Sequence, residues 1–315
     1  MVSLFLFALS SIAAATMLAS SASAGLSGCP KSLALQLTNV FQYGQIQFNY
    51  SNCGKDDSGN GYAAGIVNFC TGTSDAWEVI KAYHSLTGGN DEFTQYDSML
   101  KKYASTNDGS TKGLDGFCNA WKKAATNQKF WSAQGTVFDK LYFAPSQAFA
   151  NKLGLQLSVS QGQMYDAAIS HGVSNSSKSL GGLIKATNKK FTNNTLGNSG
   201  NNLNINGHQV DEIVWLEKFI DIRKASFNNT GDLVNINSYS YIISQGEYKW
   251  THNIQVLNNK GSVGNVTCDN SYQPSNINPN GDNDGEESAS LPTLETNRIL
   301  LAIGVAIFSS VLVGL

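Results

Sequence analysis

The feature that most constrains this chain is a series of helical-period apolar segments broken by Asn- and Gly-rich loops. Leu33, Leu37, Val40 and Phe41 recur at three- and four-residue spacing, which predicts an amphipathic helix over residues 31–43. Trp77, Ile80 and Tyr83 mark a second helix, with the capping types Ser74 and Asp75 at its start. Phe93, Tyr96, Leu100 and Tyr103 mark a third, and the pattern continues through Trp121, residues 130–141 and residues 164–169. Val210, Ile213, Val214 and residues 217–223 predict another helix. Residues 193–207 read as a loop, and only residues 249–257 read as extended. The expectation is a mostly α fold whose aromatic stripes form core rather than a binding platform.

Composition removes two classes. Of 315 residues only 14% are charged and 41% are hydrophobic, with 21 Lys plus Arg against 23 Asp plus Glu. A nucleic-acid binder should carry a clear basic excess, so no nucleic-acid partner is expected. The low charge also argues against a disordered chain.

Both ends read as processing signals. Residues 2–20 are almost all apolar or small, and Ala22-Ser23-Ala24 before Gly25 has the form of a cleavage site. Residues 1–24 are therefore read as a signal peptide, although no basic residue precedes the apolar run; the alternative is an uncleaved N-terminal anchor. The chain closes on 17 largely apolar residues, 299–315, with no basic residue after them. A membrane-spanning helix wants about 20 residues and a charged flank. Small residues at Ser288-Ala289-Ser290 followed by a spacer and this tail fit a GPI-attachment signal over residues 289–315 better, with Asn283-Asp284-Gly285 as a second attachment site. Residues 273–288 are Pro-, Asn-, Asp- and Ser-rich and read as a stalk, leaving residues 25–272 as the globular domain. The expected location is secreted or at the cell surface.

Five N-x-S/T sequons begin at Asn49, Asn175, Asn193, Asn228 and Asn265, which suits a glycosylated chain. Five cysteines (Cys29, Cys53, Cys70, Cys118 and Cys268) leave at least one unpaired within the chain. Their spacing is too wide for a zinc site, their pairing is open, and Cys70 or Cys118 fits a small buried apolar residue as well as a bridge. No metal and no cofactor are expected. The Gly-x-Ser-x-Gly motif is absent, and His84, His171, His208 and His252 share no ligand spacing. His171, near a predicted helix end, reads as structural. Gly59-Asn60-Gly61-Tyr62-Ala63-Ala64-Gly65 has no apolar strand leading into it, which excludes a dinucleotide site.

A more specific pattern runs through Gln36-Leu-Thr-Asn-Val-Phe-Gln42, Gly59-x-Gly-Tyr-x-x-Gly65, Gly72-Thr-Ser-Asp75-Ala-Trp-Glu-Val, Tyr165-Asp-Ala-x-x-x-His-Gly172 and Trp215-Leu-x-Lys-Phe-x-Asp-Ile-Arg223. In this order the segments resemble the chitosanases of glycoside hydrolase family 46, over roughly residues 29–257. The resemblance implies a mostly α, lysozyme-like fold of two lobes with a substrate cleft between them. It implies chitosan, a polymer of β-1,4-linked glucosamine, or a related cell-wall polysaccharide as partner, and internal cleavage with inversion as the family reaction.

Inversion needs one carboxylic acid to protonate the leaving oxygen and one carboxylate to activate water. The ungapped match places Gln42 at the acid position and Ser58 at the base position, with Asn60 and Ala63 where the family has Arg and Thr. Neither Gln42 nor an unactivated Ser58 can do the family's chemistry, so the chain reads as a pseudoenzyme candidate. Asp57 is a possible rescue base, beside Asp56 in what otherwise reads as a solvated loop pair. Asp75 matches a carboxylate that binds the glucosamine ammonium, or serves as a helix cap. The family also links its acid to an Asp and two Arg; Asp166 and Arg223 match two of these, and the second Arg falls at Leu233, followed by Val234-Asn235. Losing the Glu and one Arg together leaves a balanced pair. A working endo-chitosanase, a chitosan-binding protein without hydrolysis and a surface protein that kept only the scaffold are the competing expectations.

Overall fold

The computed structural model describes residues 25–226, 233–258, 260–269, 272 and 274. The expected signal peptide, most of the expected stalk and the expected GPI signal lie outside them. Helices dominate, as the periodicity predicts. In chain order the elements are α1 (Gly28–Tyr43), β1 (Cys53–Lys55), β2 (Tyr62–Ala64), β3 (Phe69–Cys70), α2 (Asp75–Thr87), α3 (Asp97–Thr106), α4 (Phe117–Ala124), α5 (Gln128–Phe138), α6 (Ala144–Leu153), α7 (Ser158–His171), α8 (Leu180–Asn188), β4 (Asn202–Ile205), β5 (His208–Asp211), α9 (Glu212–Ser226), α10 (Leu233–Ser244), β6 (Ile254–Leu257) and β7 (Val263–Val266). No helix among the described residues is long and apolar enough to cross a membrane.

The packing divides these elements into two groups. The antiparallel sheet β1–β2–β3 packs with α2 and α4, and α2 lies along α3 and α5. Helices α6 to α10 pack on one another around α7, and α1 joins them through α7 and α10. A five-residue π-turn, Asp139–Phe143, connects α5 to α6 and touches α7, so it joins the two groups. The disulfide Cys53–Cys118 ties β1 to α4, and Cys29–Cys268 ties α1 to the segment after β7. Cys118 is thus bridged, and Cys70 is the free thiol.

The central helix α1 departs from the amphipathic expectation. Every residue from Ser32 to Phe41 is buried, polar ones included. The reason is the C-terminal segment, which covers the face that the pattern left to solvent. Gln36 donates to the Thr267 carbonyl (2.7 Å) and accepts from the Thr267 N–H (3.0 Å), pairing a side-chain amide with backbone as a strand would. Tyr272 reaches Asn39 (2.6 Å) and the Ile46 carbonyl and stacks on Phe48 at 4.7 Å. Buried polar groups survive in such a place only when partnered.

Three small sheets correct the reading that a single segment is extended. Residues 202–211, expected as loop and helix start, form a hairpin in which Leu203, Ile205 and Val210 are buried and Asn202, Asn204 and Gln209 are exposed. Its turn is Asn206-Gly207, both at positive φ (54° and 87°), the geometry that matches strand twist in a two-residue hairpin. Val210 is therefore a strand residue, and α9 begins only at Glu212. Asp211 caps that helix by accepting from the N–H groups of Ile213 (2.9 Å) and Val214 (3.2 Å). Glu212, fully buried, accepts from Gln156 and Leu157 N–H at 3.0 Å each and so supports the start of α7.

Candidate active site

The C-terminal end of α1 delivers Gln42, half-buried, to the edge of the β1–β3 group. Its Oε1 accepts from the Asn68 Nδ2 at 3.4 Å. Asn68, held at φ 56° in the β2–β3 turn, in turn accepts on Oδ1 from Asn52 Nδ2 (2.8 Å). The Tyr43 hydroxyl donates to the Gly65 carbonyl (2.7 Å) and lies 3.2 Å from Asn68 Oδ1. Burial pushes the Tyr43 hydroxyl well above the usual phenol range. Gln42 thus belongs to a neutral amide and hydroxyl network. Asn68 and Asn52, its second layer, carry no motif and were not legible in the sequence.

Ser58 and Asp57 lie exposed at the tip of the β1–β2 hairpin. Asp56, half-buried, is the turn's organiser: its carboxylate accepts from Ser58 Oγ (3.0 and 2.9 Å) and from the Asn60 N–H (2.9 Å). The Asn60 carbonyl then accepts from Gly72 N–H (2.9 Å), pinning the tip to the loop before α2. Gly109 approaches so closely that a Cβ there would overlap the Gly59 carbonyl oxygen, so the hairpin tip is packed backbone against backbone. Of the two acidic residues, Asp56 rather than Asp57 faces Ser58. The solvated-pair expectation holds for Asp57 alone.

Asp75 is the first residue of α2, but it is not the cap; Ser74, at φ 74°, occupies that position. Asp75 instead turns back into the protein, 6% exposed. Oδ1 accepts from Cys70 N–H (2.9 Å) and Thr73 Oγ1 (2.6 Å), and Oδ2 accepts from Tyr142 Oη (2.7 Å). Burial raises the Asp75 carboxyl above its ordinary value, and these three donors work against that rise. Tyr142 arrives from the π-turn, a placement that no sequence pattern announces. Cys70, paired across the sheet with Ala63, is pushed up to about 12 by burial and by the nearby Asp75 and Asp56 carboxylates. A thiol held protonated is a poor nucleophile.

The second cluster is built on one face of α7, where Gln163, Asp166 and Ser170 stand at helical spacing. Arg223 of α9, with no exposed surface, reaches all three. It donates from Nη1 to Gln163 Oε1 (2.9 Å) and to Asp166 Oδ2, and from Nη2 to Ser170 Oγ (3.0 Å). Asn235 of α10 donates to the Asp166 carboxylate, 3.2 Å from each oxygen. The sequence pointed to Leu233 as the vacated arginine position; Asn235, two residues on, is the side chain that actually meets Asp166. One cation, one anion and neutral donors make a balanced buried set.

His171 sits at the C-terminal end of α7 beside this pair, the structural position expected of it. Burial and the neighbouring Arg223 charge lower it to about 4, against a smaller opposing pull from Asp166. Its ordinary value is 6.5. Below that value the unfolded chain takes up a proton that the folded chain resists, so stability is lost as pH falls from 6.5 toward 4. We expect thermal melts of a His171→Gln variant to be flatter than native across that window. Superimposable pH profiles would refute this. His84, set between Asp91 (2.7 Å) and Asp97 (2.9 Å), works in the opposite sense, so only the native-minus-variant difference isolates His171. Among the described residues no group of three or more His, Cys, Asp or Glu is placed to hold a metal ion.

The structure thus supplies a helical scaffold with a short β-sheet and two polar clusters, a form that does not by itself name a function. Comparison with known proteins supplies the class. The model of glycosyl hydrolase family 46 matches residues 36–239, and the chain belongs to that family. A chitosanase of Bacillus subtilis (strain 168) is 34% identical over 206 residues, 65% of this chain and 70% of that protein. A chitosanase of Streptomyces sp. (strain N174) is 31% identical over 198 residues, covering 62% of this chain and 66% of the relative. Among solved structures, a mutant chitosanase from Bacillus subtilis MY002 complexed with 6 GlcN superposes with a TM-score of 0.68 at 30% identity, covering 78% of this chain and all of that one. A chitosanase from Gynuella sunshinyii complexed with chitotetraose gives 0.68 at 28% identity, over 76% of this chain and 98% of that one. The lysozyme-like, mostly α fold is that of this family.

Proposed function

We propose that this protein binds chitosan at a cell surface and has lost the family's hydrolysis. The observation that carries the reading is the neutral network at Gln42, where an inverting glycosidase requires a proton-donating carboxylic acid. Gln42 stands at the acid position and Ser58 at the base position; Asp56 is committed to its own turn, and Asp57, exposed at the hairpin tip, would still lack an acid partner. The charge-balanced pair Asp166–Arg223 supports the same conclusion, since a buried network that had lost only one charge would be costly.

Binding can outlast catalysis because its chemistry sits elsewhere. Asp75, the carboxylate that the resemblance assigns to the glucosamine ammonium, is held in place by Cys70 N–H, Thr73 and Tyr142. Relatives of the family include proteins described in complex with 6 GlcN and with chitotetraose. The leader over residues 1–24, the stalk over residues 273–288 and the GPI signal over residues 289–315 support display outside the cell on a lipid anchor. Nucleic acid is not a partner, and no cofactor takes part.

Co-sedimentation with crosslinked chitosan beads, which stay solid when the amines are charged, tests the binding. We expect depletion of the protein from solution near pH 5.5, where the amines are charged, and release as salt is raised. Equal recovery on chitin, which lacks free amines, or no depletion on chitosan, would refute it and leave the scaffold-only reading.

A further inference from the structure

Leu196 is 76% exposed, the one large apolar side chain so exposed among the described residues. Alone, an exposed leucine needs no explanation. Its position gives it one. It directly follows the sequon Asn193-Asn194-Thr195, in the segment between α8 and β4.

That segment is fixed from the other side. Thr195 bridges β5, with its N–H donating to the Gln209 carbonyl (2.8 Å) and its carbonyl accepting from Asp211 N–H (2.8 Å). Asn194 Oδ1 accepts from Gln209 N–H at 2.9 Å. The two middle residues are thereby tied to the hairpin by these hydrogen bonds, while Asn193 and Leu196 on either side are exposed. Three residues of extended chain span at most about 10 Å, within reach of the first sugars of an N-linked oligosaccharide.

The other sequons sort by the same criterion. Asn175, in the loop between α7 and α8, and Asn265, on β7, are exposed. Both belong, with Asn193, to the α6–α10 group. Asn49 is half-buried between Phe48 and Tyr50, whose rings stack on Tyr272 and Trp131. Asn228 lies outside the described residues.

We propose that Asn193 carries an N-linked oligosaccharide whose innermost sugars cover Leu196, with Asn175 and Asn265 as companion sites on the same group of helices. The donor class is an oligosaccharide on a polyprenyl diphosphate. The Asn193 amide nitrogen forms a bond to the sugar C1, the bond from C1 to the diphosphate oxygen breaks, the amide proton passes to base, and polyprenyl diphosphate leaves. No oxidant or reductant is needed. The proposal rests on the reading of residues 1–24 as a secretory leader.

The test is glycopeptide mapping of the full chain made in a eukaryotic secretory host, alongside a second chain carrying a foreign cleavable leader. Asn193 is expected to be occupied. Asn193→Gln should lose one step in an endoglycosidase ladder and bind an apolar fluorescent dye more strongly than the native protein. Adding Leu196→Ser should return dye binding to the native level, whereas Asn265→Gln should lose a glycan with no rise in dye binding. Occupancy behind the foreign leader alone would overturn the leader reading and, with it, this proposal for the native chain. An unoccupied Asn193 behind the foreign leader, or unchanged dye binding in Asn193→Gln, would overturn the proposal itself.

Discussion

A chitosan solution incubated with the native protein should keep its viscosity, whereas the Gln42→Glu/Ser58→Asp double variant should thin it at least about 100-fold faster. General acid–base assistance contributes roughly 10²–10⁴-fold, and inversion requires both partners at once. Each single substitution is therefore expected to stay near the native level. Gln42→Glu is well tolerated locally: the carbonyl oxygen of a protonated Glu takes the Asn68 hydrogen bond that Gln42 now accepts. A half-buried carboxyl there is raised by desolvation, which suits a proton donor. Ser58→Asp is less comfortable, because it puts a second carboxylate beside Asp56. Like charge raises one of the two, so the restored activity should be shifted toward higher pH. Adding Asp56→Asn, which retains an acceptor for Asn60 N–H, should bring the optimum back down. Rapid thinning by the native chain would overturn the loss of hydrolysis. So would a double variant no faster than a native chain that is already active.

How much of this was legible in the sequence depends on how local the signal is. The helices were legible because burial repeats every three to four residues, and the ordered motifs singled out Gln42, Ser58, Asp75, Asp166 and Arg223, of which Asp166 and Arg223 meet in an ion pair. The β4–β5 hairpin was legible too, in the alternation of Leu203 and Ile205 with asparagines and in Asn206-Gly207, but the surrounding asparagines disguised it as loop. Other features had no local signal. Nothing near Gln36 or Asn39 says that Thr267 and Tyr272 will cover them from 231 and 233 positions away, turning an amphipathic helix into a fully buried one. Tyr142 reaches Asp75 only because a π-turn rotates it there. Asp56 and Asp57 are adjacent and identical in type, and only the folded hairpin decides that one organises the turn while the other faces water. Asn235 meets Asp166 from two residues beyond Leu233, the position to which the motif spacing pointed, a displacement that requires the helix itself to be seen.

The Asp166–Arg223 pair offers a large expected stability effect and a direct measure of how strongly two buried charges depend on each other. Both residues are buried, at 4% and 0% exposure, and Arg223 spends its donors on Asp166, Gln163 and Ser170. Arg223→Met would leave the Asp166 carboxylate with only the Asn235 amide, and Asp166→Leu would leave the guanidinium among neutral acceptors. Removing one member of a buried pair costs about 3–5 kcal/mol, which for a domain of this size lowers Tm by roughly 6–20 °C. The Asp166→Leu/Arg223→Met double variant should lose far less than the sum of the singles, because an apolar pair of similar volume leaves no buried charge. Chemical denaturation of the four chains gives the coupling. A double variant as unstable as the two singles added together would mean that the residues act independently. The balanced pair would then say nothing about what the site has lost. A large coupling means that neither charge can be removed alone, because each compensates the other in a site closed to water.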